Sequence, residues 1–148
     1  FSPEFESTLF QKLGVQAKIK RREMRIFSDK KGQASGRVHT DADASKRATM
    51  MLYLPPDHGT AGMFDYGTCL HTDAQYKRRR KITVKQGARL KASSGRDQDG
   101  EARCYAKFRY LPNAAYAFRV GKSSWHSAPN SRIKNHAQQR NTVLLNWY

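Results

Sequence analysis

Apolar residues recur at helical spacing only near the start of the chain. Phe5, Leu9, Phe10 and Leu13 predict one short amphipathic helix within residues 4–15. Beyond it the period falls to two. Segments 24–28, 37–41, 47–54, 66–71, 102–111, 115–120, 124–128 and 141–148 read as short strands separated by turn chemistry. Pro55-Pro56 cannot continue a central ladder. Asp57-His58-Gly59 and Pro112-Asn113 are turn sequences, and 29–36 and 93–100 are polar stretches containing glycine. About eight short strands with scarcely one helix predict an all-β (mainly β) sandwich or barrel, double-sheeted or closed so that few strand edges are exposed.

With 148 residues there is room for one domain. The pattern divides it into a lead-in over 1–23 carrying the helix and a β-domain over 24–148, interrupted by a basic insertion at about 72–101. No run approaches the ~18–20 apolar residues of a membrane span. The first residues, Phe1-Ser2-Pro3-Glu4-Phe5, lack the basic-then-apolar order of a secretion signal, so the expected location is cytoplasmic, with no membrane partner. Cys69 and Cys104 stand far apart without a C-x-x-C neighbour and read as free, partly buried thiols.

Charge adds a candidate partner. Lys+Arg number 28 against 12 Asp+Glu, a formal +16, which suits a polyanion. The basic run 77–91 opens on Lys77-Arg78-Arg79-Arg80-Lys81 and ends at Lys91. Its plain reading is a solvated face. Its functional reading is a nucleic-acid or other polyanion rim, with Tyr76 and Tyr105 available to stack bases.

The chemistry lies elsewhere. In an extended segment, residues two apart share a face, so His39 and Asp41 can aim an imidazole nitrogen and a carboxylate oxygen at one point. Two His and one carboxylate form the facial triad of non-haem Fe(II) oxygenases, and His126 in Ser123-Ser124-Trp125-His126 is the third candidate. Arg140 and Thr142, again two apart, follow at the start of the last strand.

In this order, His39-x-Asp41, Thr49 and Tyr53 in the next strand, Gly67-Thr68, Pro112 and Phe118, His126 and then Arg140-x-Thr142, the sequence resembles the Fe(II)/2-oxoglutarate-dependent dioxygenases. Residues 24–148 carry the likeness, which is nearest to the prolyl-4-hydroxylase-like branch. The resemblance implies a double-stranded β-helix, or jelly roll, with His39, Asp41 and His126 as iron ligands. It implies Arg140 as the salt-bridge partner of the 2-oxoglutarate C5 carboxylate, with hydroxyl hydrogen bonds from Thr142 and Tyr53. O2 would be the oxidant: decarboxylation of 2-oxoglutarate to succinate and CO2 is coupled to hydroxylation of a substrate C–H. Retaining Asp41 separates the chain from related halogenases, which lack that carboxylate.

His71-Thr72-Asp73 repeats the local spacing of His39-Thr40-Asp41. The resemblance implies about four strands between the pair and the distal His, and only His39 leaves room for them before His126, which favours the first pair. His58 and His136 read as loop residues, and Arg132 lacks the Thr that follows Arg140 two positions on. Nucleic-acid dealkylases of the superfamily typically carry a second Arg six residues after the cosubstrate Arg; Asn146 stands there. The rival readings are a metal-free basic β-barrel that binds or dealkylates a polyanion, and a cupin-like enzyme that binds another metal without a keto acid.

Overall fold

The computed structural model describes residues 2–29, 36–41, 43–54, 67–72, 104–128 and 139–148. The basic run 77–91, Asp73, His58, His136 and Arg132 lie outside them.

Helix α1 covers Pro3–Leu13. Ser2 caps it, its hydroxyl accepting from the Phe5 amide at 3.3 Å, and Pro3 takes the first helical position, where a missing N–H costs nothing. Gly14 ends it in the left-handed region, φ 65°, with Gly14 N–H on the Gln11 carbonyl and Val15 N–H on that of Phe10. Eight strands follow: β1 Arg22–Asp29, β2 Gly36–His39, β3 Ala48–Tyr53, β4 Thr68–Leu70, β5 Ala106–Phe108, β6 Ala115–Arg119, β7 His126–Ala128 and β8 Arg140–Trp147.

The strands form two four-stranded antiparallel sheets, in the orders β1-β8-β3-β6 and β2-β7-β4-β5. Among the described residues, the mainly β architecture and the single short helix agree with the reading of the sequence, strand by strand, although β4, β5 and β7 are only three residues long.

Register decides which residues face inward. In the first sheet, Asp29 is opposite Arg140, Phe27 opposite Thr142, Tyr53 opposite Thr142, Met51 opposite both Leu144 and Tyr116, and Thr49 opposite Phe118 and Asn146. Because side chains alternate, these residues share one face, turned toward the second sheet. In the second sheet, His126 is opposite both His39 and Leu70. Tyr53, Tyr110 and Tyr116, packed by Met51, Ala114 and Phe118, form an aromatic core. Their hydroxyls are satisfied, as burial requires: Tyr53 and Tyr116 reach Thr68 Oγ1 at 2.9 and 2.6 Å, and Tyr110 donates to the Leu54 carbonyl at 2.6 Å.

The opposite face of the first sheet is fastened to α1. Glu6 accepts from both Arg22 Nε (2.6 Å) and the indole N–H of Trp147 (2.9 Å), and Phe10 meets the Trp147 ring edge-on at 5.8 Å. The lead-in helix is thus docked on the sheet, through a bidentate Arg–carboxylate pair.

Two local features come from the close pairing of β4 with β5. A side chain at Gly67 would meet the Phe108 carbonyl oxygen at 1.6 Å, so this position admits only glycine. The second feature is a correction. Cys69 and Cys104, expected as free thiols, are bonded to each other, their Cα atoms 5.5 Å apart. Cys69 lies in β4 and Cys104 two residues before β5, the strand that pairs with β4. A separation of 35 residues gave no hint of this.

Candidate metal centre and its cavity

Backbone pairing brings the two histidines together. His39 ends β2, His126 begins β7, and the two are direct cross-strand partners. Their rings lie 4.3 Å apart between centroids. Asp41, two residues beyond His39, returns to the same side. Its Oδ1 lies 3.4 Å from His39 Nε2 and 3.8 Å from His126 Nε2. One ligand atom from each of the three residues falls within 4.8 Å of the others. Cis ligands each ~2.1 Å from a common ion stand ~3 Å apart, so small side-chain shifts bring these donors to ligating distance.

The surroundings favour ligation. His126 Nδ1 lies 3.0 Å from the Ser124 carbonyl oxygen. That oxygen can only accept, so Nδ1 carries the proton and Nε2 keeps its lone pair toward Asp41. Burial pushes the His126 pKa down, although the Ser124 carbonyl works the other way, so the ring favours its neutral, ligating form. Asp41 is the opposite case. Burial alone would raise its pKa, but the His39 hydrogen bond and the charges of His126 and Lys46 outweigh it and hold the carboxyl well below the usual range. Its second oxygen, Oδ2, accepts from Thr49 Oγ1 at 3.1 Å and from Lys46 Nζ at 3.2 Å. Oδ1 is left facing the histidines.

Arg140 and Thr142 sit on the inner face of β8, 2% and 1% exposed. Arg140 Nη1 donates to Asp29 Oδ2 at 2.7 Å, while Nη2 donates to a weak acceptor, Met51 Sδ, at 3.3 Å and reaches Thr68 Oγ1 at 3.4 Å. Arg140 Nε and Thr142 Oγ1 are buried with no hydrogen-bond partner. Two orphaned polar groups side by side in a protein interior call for an acceptor from outside the chain.

A cavity of about 250 Å³ between the sheets joins these two ends: His39, Asp41 and His126 line it, and so do Arg140, Thr142 and Asp29. Tyr53 does not line it. Its hydroxyl is bonded to Thr68, and its ring lies 5.4 Å from the Arg140 guanidinium. The tyrosine on the wall is Tyr116.

Sequence reasoning missed Asp29, Thr68 as a hydroxyl hub, and Tyr116. Period two offered a signal for Tyr116, since it shares a face with Phe118; nothing local marked Asp29, which meets Arg140 only through strand pairing. Asn146, six residues after Arg140, turns inward with its Oδ1 3.1 Å from Thr49 Oγ1.

The competing histidine, His71, is buried elsewhere. Its Nε2 lies 2.9 Å from Ser127 Oγ. No protein-family model matches the chain, and no curated protein is significantly similar to it.

Proposed function

We propose that this protein is an Fe(II)- and 2-oxoglutarate-dependent dioxygenase that hydroxylates an as yet unidentified substrate on a double-stranded β-helix. The observation that carries the reading is the single cavity that holds three convergent ligand atoms at one end and two orphaned buried hydrogen-bonding groups at the other. The strand orders β1-β8-β3-β6 and β2-β7-β4-β5 support the fold assignment, being those of an eight-stranded jelly roll.

The donor set fits Fe(II): two neutral imidazole nitrogens and one carboxylate oxygen. His39, Asp41 and His126 would hold the ion, Thr49 and Lys46 keeping Asp41 in position. Arg140 Nε and Nη2 with Thr142 Oγ1 would receive the distal carboxylate of the keto acid, a planar guanidinium being suited to two oxygens at once. With ion and cosubstrate bound, O2 supplies one oxygen atom to succinate and one to a substrate C–H, with release of CO2. Tyr116, buried beside Thr68, would line the cosubstrate end, while Phe118, its ring 4.9 Å from that of His126, would line the metal end.

The test is anaerobic titration with Fe(II) and 2-oxoglutarate, which should raise a weak visible charge-transfer band, followed by O2-dependent formation of succinate. Metal uptake without succinate would favour the cupin-like alternative.

Two further assignments belong to this proposal. The formal charge of +16 supports a polyanionic partner or substrate, tested by anisotropy with a single-stranded oligonucleotide at two salt concentrations; affinity indifferent to salt removes it. Among the described residues no helix is long and apolar enough to cross a membrane. The Cys69–Cys104 bond weighs against the expected cytoplasmic location, because disulfides persist mainly in oxidising compartments.

A further inference from the structure

Asp29 is an acidic residue on the cosubstrate wall, where its negative charge opposes the binding of a dicarboxylate. It is the last residue of β1 and the direct cross-strand partner of Arg140. Its carboxylate meets Arg140 Nη1 at 2.7 Å, with a side chain only 18% exposed beside an arginine side chain 3% exposed. The guanidinium is therefore already charge-compensated when the cavity is empty.

The geometry leaves room for a second anion without removing the first. Nε and Nη2 form one edge of the guanidinium fork, and Asp29 holds the remaining nitrogen. On the open edge, Nε has no partner and Nη2 donates only to the weak thioether acceptor Met51 Sδ and, at 3.4 Å, to Thr68 Oγ1. A carboxylate seated there, with Thr142 Oγ1 donating to it, shares one positive charge with Asp29. Two carboxylates and one guanidinium carry a net negative charge in a poorly hydrated site, where like charges repel more strongly than in water.

We propose that Asp29 is an affinity-setting counter-ion: it stabilises Arg140 in the empty cavity and opposes the carboxylate that binds there. This rests on the function proposed above. Its consequence is a site whose occupancy follows the cosubstrate concentration rather than saturating at trace levels. A buried guanidinium without a partner would destabilise the empty protein, which gives the pairing a physical reason. The two roles predict opposite responses to loss of the charge, a signature that no purely structural residue produces.

Asp29→Asn removes the charge and keeps an oxygen to accept from Nη1. Binding is measured calorimetrically on the full chain with Mn(II) in place of Fe(II), using 2-oxoglutarate and 2-oxobutanoate, which lacks the distal carboxylate. The variant should bind 2-oxoglutarate about ten- to a hundredfold more tightly, leave 2-oxobutanoate nearly unchanged, and melt at a lower temperature when empty. Asp29→Glu, which keeps the charge, should bind like the parent, and Asp29→Ser carries the expectation of Asp29→Asn should the latter not fold. Unchanged or weaker 2-oxoglutarate binding by the uncharged variants, with the parent still preferring 2-oxoglutarate to 2-oxobutanoate, overturns the role of Asp29 and leaves the function standing. No preference between the two keto acids in any of these proteins overturns both.

Discussion

His39-Thr40-Asp41 and His71-Thr72-Asp73 are the same tripeptide in two places, and their first residues point to opposite sides of the same sheet. His39 is the direct partner of His126, so the two rings lie on one face and Asp41 rejoins them. At β4 it is Leu70 that faces His126; His71, one residue later, turns to the other side and lodges 2.9 Å from Ser127 Oγ. A shift of one residue in register exchanges a ligating position for a packing position. Local spacing proposes a metal pair, and strand pairing selects which copy can use it.

Mutation tests that comparison most severely. Alanine at His39, Asp41 or His126 should lower Fe(II) or Mn(II) affinity at least about 100-fold, more than the loss of a supporting contact does. His71→Ala should leave metal affinity intact and lower stability by about 1–3 kcal/mol, since it strands a buried hydroxyl. Calorimetric metal titration of both sets decides the matter: binding that survives in His39→Ala and vanishes in His71→Ala would reverse the assignment.

The disulfide probes the sheet that both histidines share. Reduction, or serine at Cys69 and Cys104 together, should cost about 2–4 kcal/mol in denaturant unfolding, because it frees a long loop in the unfolded chain. Coincident unfolding curves with and without reductant would mean that the pair adds nothing.

Arg140→Lys sharpens the contrast between the two ends of the cavity. It keeps the charge and loses the fork, so 2-oxoglutarate should bind at least about tenfold more weakly, the equivalent of one charged hydrogen bond. Metal affinity should hold. Equal loss of both in calorimetry would make Arg140 a structural residue.

The smallest expected effect is on pH. His126 is held below its ordinary 6.5 by burial, so the unfolded chain takes up a proton more readily than the folded one. Stability of the metal-free protein should therefore fall as pH drops through 6.5, and Asp41, also lowered, should add a further loss below 3.8. Chemical denaturation at pH 7.5 and 5.5 measures the first step; His126→Gln should flatten it.

The strand segments were legible because alternation and turn residues are local. Residues 47–54, followed by Pro55-Pro56, announced β3, and the helical spacing of Phe5, Leu9, Phe10 and Leu13 announced α1. The bonded cysteines were not legible, since their pairing depends on β4 lying beside β5. Nor were the contacts of Tyr53: the resemblance gives its hydroxyl to the cosubstrate, and in this structure that hydroxyl lies 2.9 Å from Thr68 Oγ1, with Tyr116 on the cavity wall.

By itself, the order of residues determined the β-rich architecture, the helix at its start, the pairing of a histidine with a carboxylate two positions on, and the excess of positive charge. Tertiary structure alone decided that the three donors converge, that Asp29 meets Arg140, and that one cavity runs from the three donor atoms to the unpartnered Nε and Oγ1. Side-chain direction along a strand is set by neighbours in the chain, whereas what a side chain faces is set by hydrogen-bonded strands remote in sequence.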